Sequence, residues 1–422
     1  MEKDETLPQT DSKSESPSLQ IDEFDALHQR RYRWVILGLL WLLYAVFGLI
    51  SKSIFPLVTP ILKDLNISYS QMGFILGSWQ LIYIPAALAA GAFLDKFGAR
   101  KCLLGGAVIM ALSAGLRYFS NDFISMLICV ALFGAGGPMI SIGGPKTISE
   151  WFSGRSRGTA IGIYMVGPGI GGFLALALTN SLVMPMTGNS WRLTFVCYGL
   201  LALVIGVLWW LLAQDTQAVE VGEKVKLGKV FSGLIKVRNV QVLLIMALFS
   251  FAIGHGFSSW LPKILETRGL SASEAGFAAS ISLASSIPAV LIIPRLVPSH
   301  SRGRIIAVFA LWTMINLLVI VNASGAILIA GLIVMGVSAS CFMPLMILVL
   351  MDSPEIDPKN MGSAGGMFFC VAEIGGFTGP LIMGMLVDAT GTFLIGVIFL
   401  SGLCVAMSAL TFLLRIKKTV LI

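Results

Sequence analysis

Lysine, histidine and glutamate side chains interrupt three apolar stretches of this sequence. Lys52 lies in "GLISKSIFPLVTPI", His255 in "FAIGHGFSSWLP" and Glu373 in "EIGGF". An ionised side chain within a bilayer-spanning segment costs about 2.5–3.5 kcal/mol on insertion scales, and residues kept there commonly mark a substrate or proton pathway. The ammonium and imidazole groups therefore predict binding of an anionic substrate. The carboxyl group, near the middle of its span, predicts a proton-coupling site.

Each of these residues also has a structural alternative. The long Lys52 side chain can extend along its helix and place its charge at the membrane surface. His255 can be a packing residue with a satisfied hydrogen bond, and Glu373 can be a neutral, hydrogen-bonded glutamic acid. Other polar and aromatic side chains fall on helices that would line a central cavity, although aromatic residues also fill helix packing. These further candidates for substrate contact are Trp79, Gln80, Tyr83, Tyr164 and Trp260.

The elements that position these residues are membrane-spanning helices. Of the 422 residues, 56% are hydrophobic and 12% are charged, whereas soluble proteins have about 25% charged residues. The charges cluster between apolar runs of about the 20 residues that cross a bilayer. The sequence therefore predicts an all-α membrane protein in the lipid bilayer with twelve spans. Their predicted limits are 33–60, 71–94, 101–119, 122–148, 158–182, 191–213, 239–264, 273–296, 304–322, 324–351, 362–387 and 391–414.

Lys and Arg concentrate in every second connection between the spans. The alternate connections hold only Lys63, Arg117, Arg192, Lys263 and Arg268. Because cytoplasmic loops carry the excess of Lys and Arg, this asymmetry predicts a multi-pass protein of the cell membrane with both termini in the cytoplasm. It also accounts for the net charge of +7, so no nucleic-acid partner is expected.

The two halves of the chain resemble each other. "NISYSQMGF" (66–74) matches "GLSASEAGF" (269–277) at an offset of 203, and "GIGGF" (169–173) matches "EIGGF" (373–377) at an offset of 204. The first offset also carries Lys52 onto His255. Duplicated halves with a binding site between them are typical of secondary transporters. The pattern predicts two pseudo-symmetric six-helix bundles with both basic side chains facing the site.

Composition divides the chain into five segments. The first is polar and mostly acidic and is predicted to be disordered. The predicted segments are a cytoplasmic tail at 1–30, an N-terminal bundle at 31–213, a linker at 214–238, a C-terminal bundle at 239–415 and a cytoplasmic tail at 416–422.

The connection "GAFLDKFGARK" (91–101) resembles the cytoplasmic loop signature of the major facilitator superfamily. In that family the loop braces the inward-closed state, so the resemblance implies a gating role for Gly91, Asp95 and Arg100. Lys146, at the end of the fourth span, is expected to extend to the membrane surface.

The fifth span, "GIYMVGPGIGG" (162–172), is similar to the glycine–proline motif of the same family. Glycine permits close helix approach, and proline removes one backbone hydrogen bond. The resemblance implies a gating role for Gly167 and Pro168, and ordinary helix packing is the alternative.

Two further stretches resemble particular branches of the superfamily. "SSWLPKILETRGLSASEAGF" resembles cyanate and nitroimidazole porters and organic-anion porters. "SKSIFPLVTPILKDL" is similar to the first helix of monocarboxylate–proton symporters, which carry a substrate-binding lysine at the place of Lys52. The aspartate–arginine pair of the eighth monocarboxylate helix is missing, so the resemblance does not imply lactate-like specificity.

These observations predict a monomeric secondary transporter that moves a small organic or inorganic anion by alternating access with proton coupling. One alternative is an exporter of drugs or neutral metabolites, which would gain nothing from Lys52. A second is a transport-dead membrane receptor or sensor. An enzyme is not expected because the sequence shows no clustered nucleophile or metal site, and no cofactor or metal is predicted.

Overall fold

The computed structural model describes residues 17–214, 233–353, 356 and 361–414, with side chains from residue 31 onward. Its twelve apolar helical spans confirm the predicted all-α membrane fold, and their limits agree with the predicted ones to within a few residues. The spans are α1 (Arg31–Leu65), α2 (Tyr69–Phe97), α3 (Ala99–Phe119), α4 (Phe123–Trp151), α5 (Gly154–Met186), α6 (Trp191–Leu212), α7 (Arg238–Thr267), α8 (Ala272–Leu296), α9 (Ser299–Asn322), α10 (Gly325–Met351), α11 (Met361–Thr390) and α12 (Phe393–Leu413).

Several spans are not continuous α-helices. In α1 the helix that ends at Ser53 is followed by a 3-10 turn, Phe55–Leu57, and a second helix, Val58–Leu65. Pro56 lacks a backbone N–H, so it interrupts the helical hydrogen bonds at this point. The break lies directly after Lys52.

The N-terminal segment differs in part from its prediction. The helix that forms the first part of the span α1 starts before the span itself, at Pro17. Residues 17–30 therefore have a helical backbone where composition predicted disorder. Proline is favoured at the first position of a helix, and the apolar residues Ile21, Phe24 and Leu27 recur at helical spacing. The first sixteen residues, the middle of the linker (215–232) and the end of the chain (415–422) lie outside the described residues, so the predicted segment boundaries there stay predictions.

The two six-helix bundles repeat the same packing. In the first, α1 packs on α5, α2 on α4 and α3 on α6; in the second, α7 packs on α11, α8 on α10 and α9 on α12. Related helices also begin alike. Ser68 caps α2 in a reciprocal pair with Gln71, and Ser271 caps α8 with Glu274. The sequence repeat therefore corresponds to a structural repeat.

Glycine permits a very close helix contact at equivalent places in the two halves. A Cβ atom at Gly171 of α5 would overlap the carbonyl oxygen of Ala45 in α1. A Cβ at Gly375 of α11 would overlap the carbonyl oxygen of Leu248 in α7. The two glycines are related by the offset of 204 and the two carbonyls by 203. A shared backbone-to-backbone contact thus holds the repeated helix pairs together.

We expect Gly171→Val to prevent stable folding, because the added side chain must push α5 away from α1. Gly162→Val is the matched control, since a Cβ there meets no heavy atom of the described chain within 4 Å. Both substitutions place a β-branched residue in the same helix. Overpacking in a well-packed site typically costs about 1–3 kcal/mol, and overlap with backbone should exceed that. Monodispersity and thermal unfolding of the purified variants measure the effect; equal stability of the two would contradict this packing.

The halves close against each other on the side away from the Lys/Arg-rich connections, which we call the far side. There Asp388 of α11 accepts hydrogen bonds from the backbone N–H groups of Tyr69 and Ser70, at 3.0 and 2.7 Å. In the related position of the other seam, the Asn180 amide donates to the Ala272 carbonyl at 3.1 Å. Both seams, α2 with α11 and α5 with α8, are therefore closed at this end.

The halves diverge toward the opposite, Lys/Arg-rich side, which we call the basic side. On α5, a Cβ at Gly169 would still lie 3.2 Å from Ile287 of α8, but one at Gly162 would meet nothing within 4 Å. On α11, Gly362 and Gly366 are equally free of described neighbours. The cleft between the bundles is therefore closed at the far side and open at the basic side.

Candidate functional site

Lys52 lies in the cleft between the two bundles, at the point where the first helix of α1 ends. Its side chain packs beside Gly172 of α5, where the same space is bounded by Leu283 of α8 from the other half. The ammonium nitrogen lies 4.8 Å from the centre of the Phe55 ring, a cation–π contact. Within the described chain this nitrogen has no hydrogen-bond partner. An unpaired ammonium between two halves matches an anion-binding group better than a side chain directed toward lipid.

Glu373, Gln80 and His255 form a polar cluster across the cleft. The Gln80 amide nitrogen lies 3.2 Å from His255 Nδ1 and donates to the Gly376 carbonyl at 3.4 Å. A Cβ at Gly376 would lie 3.3 Å from that nitrogen and 3.4 Å from Glu373 Oε2. Gln80 comes from α2 and the others from α7 and α11, so the cluster joins the two halves.

Lys52 and Glu373 do not form an ion pair, because no nitrogen–oxygen distance between them is within 4.0 Å. Glu373 is 8% exposed and Gln80 is 1% exposed. Lys52 and His255 are half-buried. The site therefore combines a cation that solvent can reach with a carboxyl group that is almost entirely enclosed.

Aromatic side chains form the wall of the cleft beside His255. The Trp79 ring lies 6.3 Å from the His255 ring and meets Phe47 and Phe133 edge to face at 6.1 and 5.6 Å. Tyr83, one helical turn further along α2, lies 5.8 Å from Trp79. These edge-to-face contacts fix the ring orientations.

Ser141 of α4 anchors Tyr83, since the two hydroxyl groups are 2.7 Å apart. The sequence predictions did not include Ser141. A serine within an apolar span carries too weak a signal to be selected from the sequence alone.

Two of the predicted contact residues do not line the cleft. Tyr164 is fully buried; its hydroxyl donates to the Ile140 carbonyl at 2.6 Å, and its ring stacks on Tyr44 at 4.4 Å. Trp260 is also fully buried, and its indole N–H donates to the Pro380 carbonyl at 3.0 Å. Their polar groups are used within their own half, so both residues are packing residues in this structure.

Comparison with known proteins agrees with this architecture. Residues 40–380 match the family model of the Major Facilitator Superfamily. The chain belongs to the major facilitator superfamily. Its fold is shared with the xylose transporter XylE from E. coli in an inward-open conformation, with a TM-score of 0.75 at 14% identity over 92% of this chain and 98% of that one.

Curated relatives in the superfamily align along most of the chain. The hexuronate transporter of Bacillus subtilis is 26% identical over 389 residues, covering 86% of this chain and 90% of the relative. The putative tartrate transporter of Agrobacterium vitis is 24% identical over 428 residues, covering 93% and 92%. The resemblance inferred from the loop and helix motifs is therefore confirmed.

The two charged side chains of the superfamily loop signature, Asp95 and Arg100, bond to different helices. Asp95 pairs with Lys146 of α4, with Nζ and Oδ1 2.5 Å apart, so Lys146 does not simply extend to the membrane surface as predicted. Arg100 instead donates from Nε and Nη2 to the Trp210 carbonyl of α6, at 3.1 and 2.7 Å. Gly91 has no described neighbour near its missing Cβ. Asp95 thus braces α2 against α4, and Arg100 braces the end of α6.

The glycine–proline motif lies against α1. A Cβ at Gly167 would be 3.1 Å from the Trp41 carbonyl oxygen, and the backbone of Pro168 occupies the space beside Gly48. The packing that the motif predicts is therefore present. A gating role for Gly167 and Pro168 stays a prediction.

We expect Asp95→Asn and Lys146→Met to slow transport to a similar degree while the protein remains folded. The two side chains are 39% and 34% exposed, and ion pairs this accessible contribute at most about 1 kcal/mol to stability. Because they form one pair, the double variant should be no slower than either single variant. Initial uptake rates at matched expression test this. Additive defects would show that the two residues act separately.

Proposed function

We propose that this transporter moves a small carboxylate-like anion across the cell membrane by alternating access, with proton coupling. The supporting observation is the Lys52 ammonium group, which lies in the cleft between the bundles with no hydrogen-bond partner in the described chain. Because the half-buried ammonium has no hydrogen-bond partner in the described chain, its charge is available to a bound anion.

The relatives support an anionic substrate. Those aligned along most of the chain carry the names hexuronate transporter and putative tartrate transporter. Hexuronate and tartrate are both hydroxylated carboxylates. Lys52 would bind the carboxylate group, and Trp79, Tyr83 and His255 would contact the remainder of the substrate.

The asymmetry of the cleft suits the alternating-access mechanism. With the basic side in the cytoplasm, as the positive-inside rule indicates, the cleft is open to the cytoplasm and closed to the outside. Glu373 would carry the coupled proton, since its carboxyl group is enclosed between the halves beside Gln80 and Gly376. Each monomer would contain a complete site.

Thermal unfolding of the purified protein tests the substrate class. A ligand that binds the native state stabilises it by about 2.7 kcal/mol at one hundred times its dissociation constant. We expect glucuronate or tartrate to raise the unfolding temperature of the parent but not of Lys52→Ala, and glucose to raise neither. Stabilisation by neutral solutes alone would support an exporter of neutral metabolites instead.

A further inference from the structure

The last part of α1, the helix Val58–Leu65, contacts both bundles at the far side. Near its end, Asp64 accepts a hydrogen bond from the Trp191 indole N–H of α6 at 3.0 Å and pairs with Arg192. These contacts lie within the N-terminal bundle. Near its start, Thr59 instead contacts α7 of the C-terminal bundle. When the bundles part, this helix therefore stays with α6, and the contacts of Thr59 must break.

The Thr59 hydroxyl group bonds two charged side chains of α7 at once. It accepts a hydrogen bond from the Lys263 ammonium group at 3.0 Å and donates one to Oε2 of Glu266. A hydroxyl group both donates and accepts, so the two bonds are compatible. The side chains of Lys263 and Glu266 are only 14% and 13% exposed, and hydrogen bonds to charged groups are about twice as strong as neutral ones. One uncharged side chain of the first bundle thus satisfies two enclosed charges of the second.

The positions of Lys263 and Glu266 also make this contact releasable. Their charged atoms, Nζ and Oε2, are 3.9 Å apart, which is too far for a hydrogen bond. Residues three apart on a helix are neighbours on one face, so the two side chains can pair directly once the Thr59 hydroxyl leaves. Opening of the far side therefore leaves neither charge without a partner.

We propose that Thr59 is a gating residue, whose hydroxyl group holds the far side closed by bridging Lys263 and Glu266. The inference rests on the alternating access proposed above and requires no particular substrate. Thr59 and Lys52 lie on the same span, on opposite sides of the break in α1. The gate and the candidate anion site are therefore adjacent parts of one element.

Alkylation of Ser280→Cys measures opening of the far side. Ser280 of α8 is fully buried. It shares a helix face with Gly276, whose missing Cβ adjoins the Leu176 carbonyl of α5, and with Leu283, which bounds the space beside Gly172. N-ethylmaleimide should therefore react there at a rate proportional to the population of the far-side-open state. Mass spectrometry of the purified full chain in lipid nanodiscs follows the modification at this residue.

Thr59→Val, made in the Ser280→Cys protein, should raise this rate about tenfold, because it removes hydrogen bonds to two charged groups that only the closed state makes. Thr59→Ser keeps the hydroxyl group and should stay within about threefold of the unsubstituted rate. Thr267→Val is the matched control, since the Thr267 hydroxyl, at the same end of α7, donates to the Ile264 carbonyl of its own helix at 2.7 Å. It should leave the rate unchanged.

The native Cys370 separates opening from local unfolding. It is half-buried on α11, one turn from Glu373 and one turn from Gly366, whose missing Cβ meets no described neighbour. A reagent reaches it from the open basic side. Its modification should stay constant or slow in Thr59→Val, because opening of the far side closes the basic side. Unfolding would accelerate modification at both residues.

A double substitution tests whether Thr59 acts through its partner. Glu266→Met should also raise the rate at residue 280, and Thr59→Val with Glu266→Met should react no faster than the faster single variant, because both break one contact. Effects that multiply would show that the two residues act separately and would overturn the bridge.

The remaining outcomes distinguish this inference from alternating access itself. If residue 280 reacts in the parent background, and Thr59→Val reacts equally fast while thermal unfolding shows it folded, the gating role is wrong and alternating access stands. If Thr59→Val does not fold, Thr59→Ala provides the same comparison. If residue 280 reacts in none of the folded variants, the far side does not open, and alternating access fails together with the gate.

Discussion

Lys52→Ala should lower substrate affinity by about 30-fold or more while the protein still inserts and folds. Truncating one partner of a close charge pair in a desolvated site costs about 2–5 kcal/mol, and each 1.4 kcal/mol is tenfold in affinity. The parent protein keeps this ammonium in the cleft without a hydrogen bond to the described chain, so removing it breaks no hydrogen bond there. Stability should therefore change less than binding.

Two further variants separate charge from packing. The Lys52 stem packs beside Gly172 and Leu283, and Lys52→Met preserves most of that volume without the charge. It should bind as weakly as Lys52→Ala. Lys52→Arg should retain part of the affinity, because the charge remains and its geometry changes.

His255→Ala should weaken binding less than either uncharged Lys52 variant, since a neutral imidazole supplies a hydrogen bond without a full charge. Affinities measured by titration calorimetry decide between these outcomes. Parent-like affinity in Lys52→Met would reject the anion site and favour a neutral solute.

The sequence predicted the helical fold well because a bilayer leaves few alternatives. Backbone groups in hydrocarbon must bond within their own segment, so long apolar runs become helices whose limits hydropathy shows. The repeat was predictable for a related reason. Its matching residues, such as Gly171 with Gly375, are ones for which close backbone contact tolerates no side chain.

Side-chain direction was less predictable than helix position. Tyr83 and Tyr164 are both aromatic residues within glycine-containing spans, yet only Tyr83 is beside the cleft wall. In a helix surrounded by other helices, apolar residues occur on every face, so periodicity does not indicate which face meets the cleft. Trp260 was predicted to face the cavity and is fully buried in the structure, for the same reason.

Pairings between residues far apart in the sequence also could not be predicted from the sequence alone. Asp95 and Lys146 are 51 residues apart on different helices, and a basic residue at a helix end is equally consistent with the membrane surface. The cross-cleft cluster of Gln80, His255 and Glu373 was predicted as separate residues rather than as one group. The sequence did indicate that each of these residues needs a partner, because a charge or amide inside an apolar span is costly without one. It did not indicate which partner.

Glu373→Gln should abolish proton-driven accumulation while substrate exchange continues. Glutamine has the size of glutamic acid and resembles its protonated form, but it cannot release a proton. A gradient of one pH unit supplies about 1.4 kcal/mol per proton, enough for about tenfold accumulation of a coupled substrate. The variant should therefore reach only the concentration that the substrate gradient itself supports.

Proteoliposomes provide both measurements on one preparation. Accumulation is followed under an imposed pH gradient, and counterflow is followed with substrate on both sides and no gradient. Counterflow is the internal control, because it requires binding and the conformational change without net proton movement. Loss of both activities would indicate a structural role for Glu373 between the halves. Parent-like accumulation would remove Glu373 from the coupling mechanism. Because no other carboxyl group lies in the described cluster beside Lys52, the coupled proton would then have to bind elsewhere.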